Sequence, residues 1–149
     1  MKNIKARHIG SKEINGRPVG FFTPPHGEPD FLWVEVEALA GAFLPEDAAR
    51  RMLEHCQNFD RDNRPVVAAQ NGSSIVTIMC HAMAQGLCGA IDQLLHDYQK
   101  SDDEWGGGPA ETAYCVAAGQ MMADHWPLPI VQLAEAFHNQ GGPFMRGGK

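Results

Sequence analysis

The chain contains no stretch of about 18 uninterrupted apolar residues, so no membrane span is expected. Residues 1–16 carry basic side chains with no apolar run behind them, so no secretory signal is expected and the protein is placed in the cytoplasm. Cysteine is sparse: Cys56, Cys80, Cys88 and Cys115 lie in apolar segments and form no C-x-x-C pair. Without an export signal these are expected to be buried free thiols rather than disulfides. The sequence has no G-x-S-x-G elbow, no Walker loop, no G-x-G-x-x-G and no H-E-x-x-H. Gly106-Gly107-Gly108 lacks both the preceding strand and the following lysine of a phosphate loop, so it reads as part of an acidic linker over Ser101–Gly108.

What is present suits a folded domain. Over 149 residues, 44% hydrophobic content is enough to build a core, and 20% charged residues argue against bulk disorder. The net charge of −6 is unevenly spread. Lys2, Lys5, Arg7, Lys12 and Arg17 face only Glu13 in the first twenty residues, whereas residues 21–60 hold eight acids against Arg50 and Arg51. Phosphate contacts supply most non-specific DNA affinity, so an acidic body lacks the footprint of an autonomous DNA binder. Such a body more readily meets a basic surface on another protein.

The pattern predicts an α+β fold, with N-terminal β-hairpins and short helices closed by a C-terminal helical half. Ile14 to Phe22 should reverse at Asn15-Gly16, since Asn-Gly suits the positive φ angles of a tight turn. Pro18 cannot donate to a ladder, which places its strand at a sheet edge or next to a bulge. Thr23 to Asp30 reads as a loop, and Phe31-Leu32-Trp33-Val34 as a short buried strand. A short helix spans Glu35 to Phe43, and Pro45 opens a second running to about Gln57, with Ala48, Ala49, Met52, Leu53 and Cys56 inward. The two make a helix-turn-helix-like pair, an arrangement most often unrelated to DNA.

Asn58 to Arg64 is a polar connection, and Pro65 to Ile78 is a second hairpin about Asn71-Gly72. A helix follows with Cys80, Met83, Ala84, Leu87, Cys88, Ile91, Leu94, Leu95 and Tyr98 on its apolar face and His81 and Asp92 on its polar one. Pro109 opens another helix to His125, buried through Tyr114, Ala117, Ala118, Met121 and Met122. Beyond Trp126-Pro127-Leu128-Pro129, a last helix sets Ile130, Leu133, Ala134 and Phe137 on one face. Residues 1–140 therefore read as one α+β domain, its first part over 10–100 and a helical extension over 109–139, with 141–149 as a flexible tail.

Candidate chemistry is weak. Neighbouring residues on a helix point about 100° apart, so Cys80 and His81 are poorly placed to share a zinc, and the cysteines fall on core faces. A reactive thiolate sits partly exposed among positive charges, and these thiols do not. No catalytic residue, metal site or cofactor is assigned. Partner-binding candidates are His26, Glu28 and Asp30 in the proline-rich loop beside Trp33, because surface loops with aromatics often carry contacts. The basic cluster Arg50, Arg51, Arg61 and Arg64 is a second candidate, together with Glu46 and Asp47. The plainer reading of that helix is i,i+4 ion pairs, Glu46–Arg50 and Asp47–Arg51.

The N-terminal half resembles the Bro-N and antirepressor-type domains of phages and mobile elements. The resemblance rests on the hairpin Ile14-Asn15-Gly16-Arg17-Pro18-Val19, on Trp33-Val34-Glu35-Val36-Glu37-Ala38-Leu39-Ala40, on Ala48-Ala49-Arg50-Arg51-Met52-Leu53, and on the Pro65 to Ile78 hairpin leading into Met83-Ala84-Gln85-Gly86-Leu87. It covers roughly residues 10–95 and implies phage regulation through DNA or through a repressor protein. Acidity shifts the expectation from DNA to protein. The chain is thus expected to be a non-catalytic regulator that binds a protein partner, a repressor or a host defence complex, as a homodimer. The alternatives are a host-defence inhibitor of the anti-CRISPR kind, whose acidic surface occupies a nucleic-acid groove, and a sequence-specific DNA-binding regulator working through Pro45–Gln57.

Overall fold

Two β-hairpins and one short strand supply the sheet of this protein, and five helices flank it; the computed structural model describes residues 5–58, 65–95 and 107–139. The elements run β1 (His8–Ile14), β2 (Arg17–Phe22), β3 (Trp33–Glu35), α1 (Val36–Gly41), α2 (Glu46–Gln57), β4 (Val66–Asn71), β5 (Ser74–Met79), α3 (His81–Leu95), α4 (Pro109–His125) and α5 (Ile130–Asn139). The sheet is antiparallel throughout, in the order β1-β2-β3-β5-β4. This is the expected α+β class, with strands concentrated in the N-terminal half and helices in the C-terminal half.

Both hairpins form, but their turns differ. Asn15 and Gly16 both take positive φ (51° and 82°) between the paired residues Ile14 and Arg17, as the Asn-Gly pair predicts. In the second hairpin Asn71 pairs with Ser74, so the turn is Gly72-Ser73 and, of these residues, Gly72 alone has positive φ (65°). Val67, Ala69, Val76 and Ile78 share one face of the hairpin, and the turn falls one residue past Asn71-Gly72, where Gly72 takes the positive φ of the first turn position. Pro18 also departs from expectation. Its strand β2 is interior, between β1 and β3, and the register shift lies between His8 and Gly10. Ile14 and Arg17 flank a two-residue turn and exchange hydrogen bonds, so the next pair, Glu13 and Pro18, does not. The missing N–H of Pro18 therefore points toward β3, which reaches only Phe21 and Phe22.

Alternation along the strands divides the apolar side chains between two faces. Phe21, Val34, Met79 and Val66 join the larger core with α1 to α4, where Leu39, Leu87, Ile91 and Tyr114 are buried. Phe22, Trp33, Ile78 and Ala69 form a smaller core on the opposite face, with Ala6 and Cys80. Burying a large apolar side chain is worth about 1.5–3 kcal/mol, so the fully covered Trp33, Phe21, Phe22, Leu39, Ile78 and Met79 are among the main apolar contributors.

The second helix matches the sequence expectation, starting after Pro45, with Ala49 and Cys56 buried and Ala48, Met52 and Leu53 half-buried. On α3 the inward set holds from Ala84 to Ile91, but Leu94 and Leu95 are 82% and 52% exposed; Tyr98 lies outside the described residues. The linker over 101–106, the connection over 59–64 and the tail over 141–149 also lie outside them.

Helix α5 departs furthest from an ordinary amphipathic packing. Ile130, Val131, Leu133 and Phe137 are 85%, 71%, 43% and 70% exposed, and Ala136 is the buried residue of the helix. Two indole and amide anchors hold it in that rotation: Trp126 Nε1 donates to the Asp30 carbonyl (3.2 Å), and Asn139 Nδ2 donates to the Pro29 carbonyl (3.3 Å). Among the described residues no helix is long and apolar enough to cross a membrane.

Candidate functional site

The proline-rich loop between β2 and β3 is built around one buried carboxylate. Asp30 is 1% exposed, and its Oδ1 accepts from the Phe31 amide at 2.8 Å. Its Oδ2 accepts from Trp33 Nε1 at 3.0 Å and from His26 Nε2 at 2.9 Å. His26 Nδ1 accepts from the Glu28 amide (3.2 Å), which leaves Nε2 as the nitrogen that donates to Asp30. The side chains of His26 and Asp30 are fully covered, and the His26 ring meets Trp33 edge-on at 6.3 Å between centroids. Upstream, Thr23 Oγ1 accepts from the Arg7 amide (2.8 Å), while the Thr23 amide donates to the Arg7 carbonyl (2.9 Å). A loop with this many internal bonds is ordered before anything binds it.

Beside this loop lies a cleft of about 310 Å³, whose lining includes Lys5, Arg7, Glu28, Trp126, Leu128 and Gln132. Three elements converge there: the segment before β1, the loop, and the start of α5. Lys5 Nζ also donates to Gln70 Oε1 (2.9 Å) across the smaller core. The lining mixes two cations, the acidic residues Glu28 and Asp30, an indole and an amide.

The sequence candidates therefore separate. His26, Asp30 and Trp33 are brought together, but as buried supports of the loop; Glu28 alone of that group reaches a partly open position. Glu46, Asp47, Arg50 and Arg51 share the exposed side of α2. The Glu46–Arg50 pair forms at 3.1 Å, with side chains 88% and 60% exposed. Asp47 Oδ1 instead accepts from the Ala48 amide (2.9 Å), and no Asp47–Arg51 ion pair occurs among the described residues. Arg61 and Arg64 lie outside the described residues. The α2 candidates and the loop candidates thus belong to different elements and do not form one site.

Other polar side chains carry weight that periodicity did not assign them. Asp92, expected on the polar side of α3, is 1% exposed. Its Oδ1 and Oδ2 accept from the Ala110 and Glu111 amides (2.7 and 3.0 Å), capping α4 from a neighbouring helix. The readable signal was Gly108-Pro109, a helix start with no side chain of its own to cap it. His81 Nδ1 and the Tyr114 hydroxyl are hydrogen-bonded at 2.6 Å, with the Phe31 and His81 ring centroids 4.9 Å apart. Burial pushes the His81 imidazole down to about 4, partly opposed by nearby Asp30, and raises the phenol of Tyr114.

The thiols sit in the same apolar surroundings. Burial pushes Cys80 up to about 11 and Cys88 to about 12, and it raises Cys56 and Cys115 as well. Cys115, half-buried, accepts from Gln85 Nε2 at 3.6 Å. A thiol held protonated is a poor nucleophile and a poor ligand. Among the described residues, no group of three or more His, Cys, Asp or Glu is gathered to hold a metal ion. Compared with protein-family models, with curated proteins and with solved structures, the chain finds no match in any of the three.

Proposed function

We propose that this protein is a non-catalytic regulator that binds another protein, in the manner of the antirepressor-type domains its N-terminal half resembles. The contact is the cleft beside the Thr23–Asp30 loop. The observation that carries the reading is the construction of that loop: a fully covered His26–Asp30 pair fixes its shape, leaving Glu28 and its neighbours to present a ready surface. A binding surface ordered in advance avoids the entropy of ordering a loop on contact. The inward-facing, protonated thiols and the neutral His81 are consistent with a protein whose polar interior serves folding rather than turnover. On α2, Arg50 is paired with Glu46, so that helix offers a mixed rather than a basic face.

Capture from a lysate of the source host tests this reading. The intact chain should retain a discrete protein, and a Glu28→Lys/Gln132→Arg double variant, which reverses and crowds the cleft lining, should retain it at least tenfold less while keeping its circular dichroism spectrum. Retention unchanged by the double variant would remove the cleft from the proposal. A gel shift of the protein's own upstream DNA, weakening steeply with salt, would replace a protein partner with DNA.

A further inference from the structure

The cleft uses one side of α5 and leaves the other unexplained. Successive residues of a helix are about 100° apart, so Gln132, Ala136 and Asn139 share one side, and Ile130, Leu133, Ala134 and Phe137 lie opposite. The first set faces the body: Gln132 lines the cleft, Ala136 is covered, and Asn139 holds the Pro29 carbonyl. The second set faces solvent, with Val131 on its flank. Trp126, just after α4, and Asn139, the last residue of α5, tie this segment to the Asp30 and Pro29 carbonyls with the apolar side of the helix outward. The helix is thus mounted with its polar and small side toward the protein.

We propose that this outward face of α5 is the contact between two copies of the chain, packed antiparallel about a two-fold axis that passes between Leu133 and Ala134. The residue order is self-complementary about that point. Ile130 meets the Phe137 of the other copy, Leu133 meets its Ala134, and each relation is returned across the axis, as a two-fold interface requires. The small Ala134 leaves room for the opposing Leu133 at the centre, where two helices approach most closely.

Area supports a second copy as the occupant. The exposed parts of Ile130, Val131, Leu133 and Phe137 sum to roughly 500 Å² per copy, so covering them completely on both copies sets a ceiling of about 1,000 Å², the threshold of specific association. The contacting side chains carry no charge, while each copy carries a net −6. Salt should therefore tighten the dimer by screening repulsion between the two bodies, the reverse of an interface held by ion pairs. The inference is independent of the cleft reading, because the two surfaces lie on opposite sides of α5.

Sedimentation of the full chain from about 1 to about 300 µM tests it. The expected result is a monomer–dimer equilibrium that strengthens with added salt. Ala134→Glu, placed at an exposed position, should remain monomeric over the same range with an unchanged far-ultraviolet spectrum. Ala134→Cys should yield a reducible covalent dimer under mild oxidation, whereas Val116→Cys, exposed on α4, should not. A wild-type chain that stays monomeric throughout would overturn the proposal, as would a dimer indifferent to Ala134→Glu. If the chain were monomeric but lost a captured protein partner on Ala134→Glu, the face would belong to that partner and the two-fold contact would be refuted.

Discussion

At the scale of single residues, three polar side chains have structural consequences. Removing Asp30 takes away the buried acceptor of both His26 Nε2 and Trp33 Nε1, so Asp30→Ala should cost about 3 kcal/mol, measured by urea denaturation. His81 sets a pH dependence. Its folded-state value, pushed down to about 4, lies below the ordinary 6.5, so the unfolded chain takes up the proton first as the solution is acidified. Its contribution is complete above about pH 6.5 and is lost toward pH 4, amounting to about 3 kcal/mol over that window. Glu35 acts with the opposite sign: burial raises it, so it favours the fold at low pH and that contribution fades as pH rises. Stability measured across pH 7 to 4 should fall, and His81→Gln should flatten the fall; an unchanged slope would mean that His81 is not the titrating group.

Helices give the next set of contrasts. Asp92 caps α4 with both carboxylate oxygens, so Asp92→Ala should lower stability by about 1–2 kcal/mol, a large effect for a residue outside the helix it caps. Gly108→Ala should damage the same junction, since a Cβ there would come within 2.6 Å of the Asp92 carboxyl carbon. By comparison, Arg50→Ala on α2 should change stability by less than about 0.5 kcal/mol, because its ion pair is mostly in water. Equilibrium unfolding of the three variants side by side separates a buried cap from a surface pair. Finding Arg50→Ala as costly as Asp92→Ala would contradict the burial of these groups.

For the molecule as a whole, the thiols report how the two cores open. Cys56, Cys80 and Cys88 are buried in different parts of the interior, whereas Cys115 is partly accessible. With a thiol-reactive disulfide reagent under native conditions, Cys115 should react slowly and first. The other three should wait for unfolding and appear together if the domain unfolds cooperatively. Early modification of Cys80 alone would mean that the smaller core, with Phe22, Trp33 and Ile78, opens separately.

Local chemistry explains which features the sequence made legible. Asn15-Gly16 turns because both residues enter positive φ cheaply, Pro45 and Pro109 stand where helices begin, and the apolar periodicity of α2 marks its buried side. The α+β class follows from those signals, since each depends on neighbours within a few residues. Tertiary packing decided the rest. The use of Asp92 depends on the helix start at Pro109, which has no cap of its own. The orientation of α5 depends on bonds to Pro29 and Asp30, about a hundred residues away along the chain. Apolar spacing shows that a helix has two sides, but only the partners folded against it determine which side meets water.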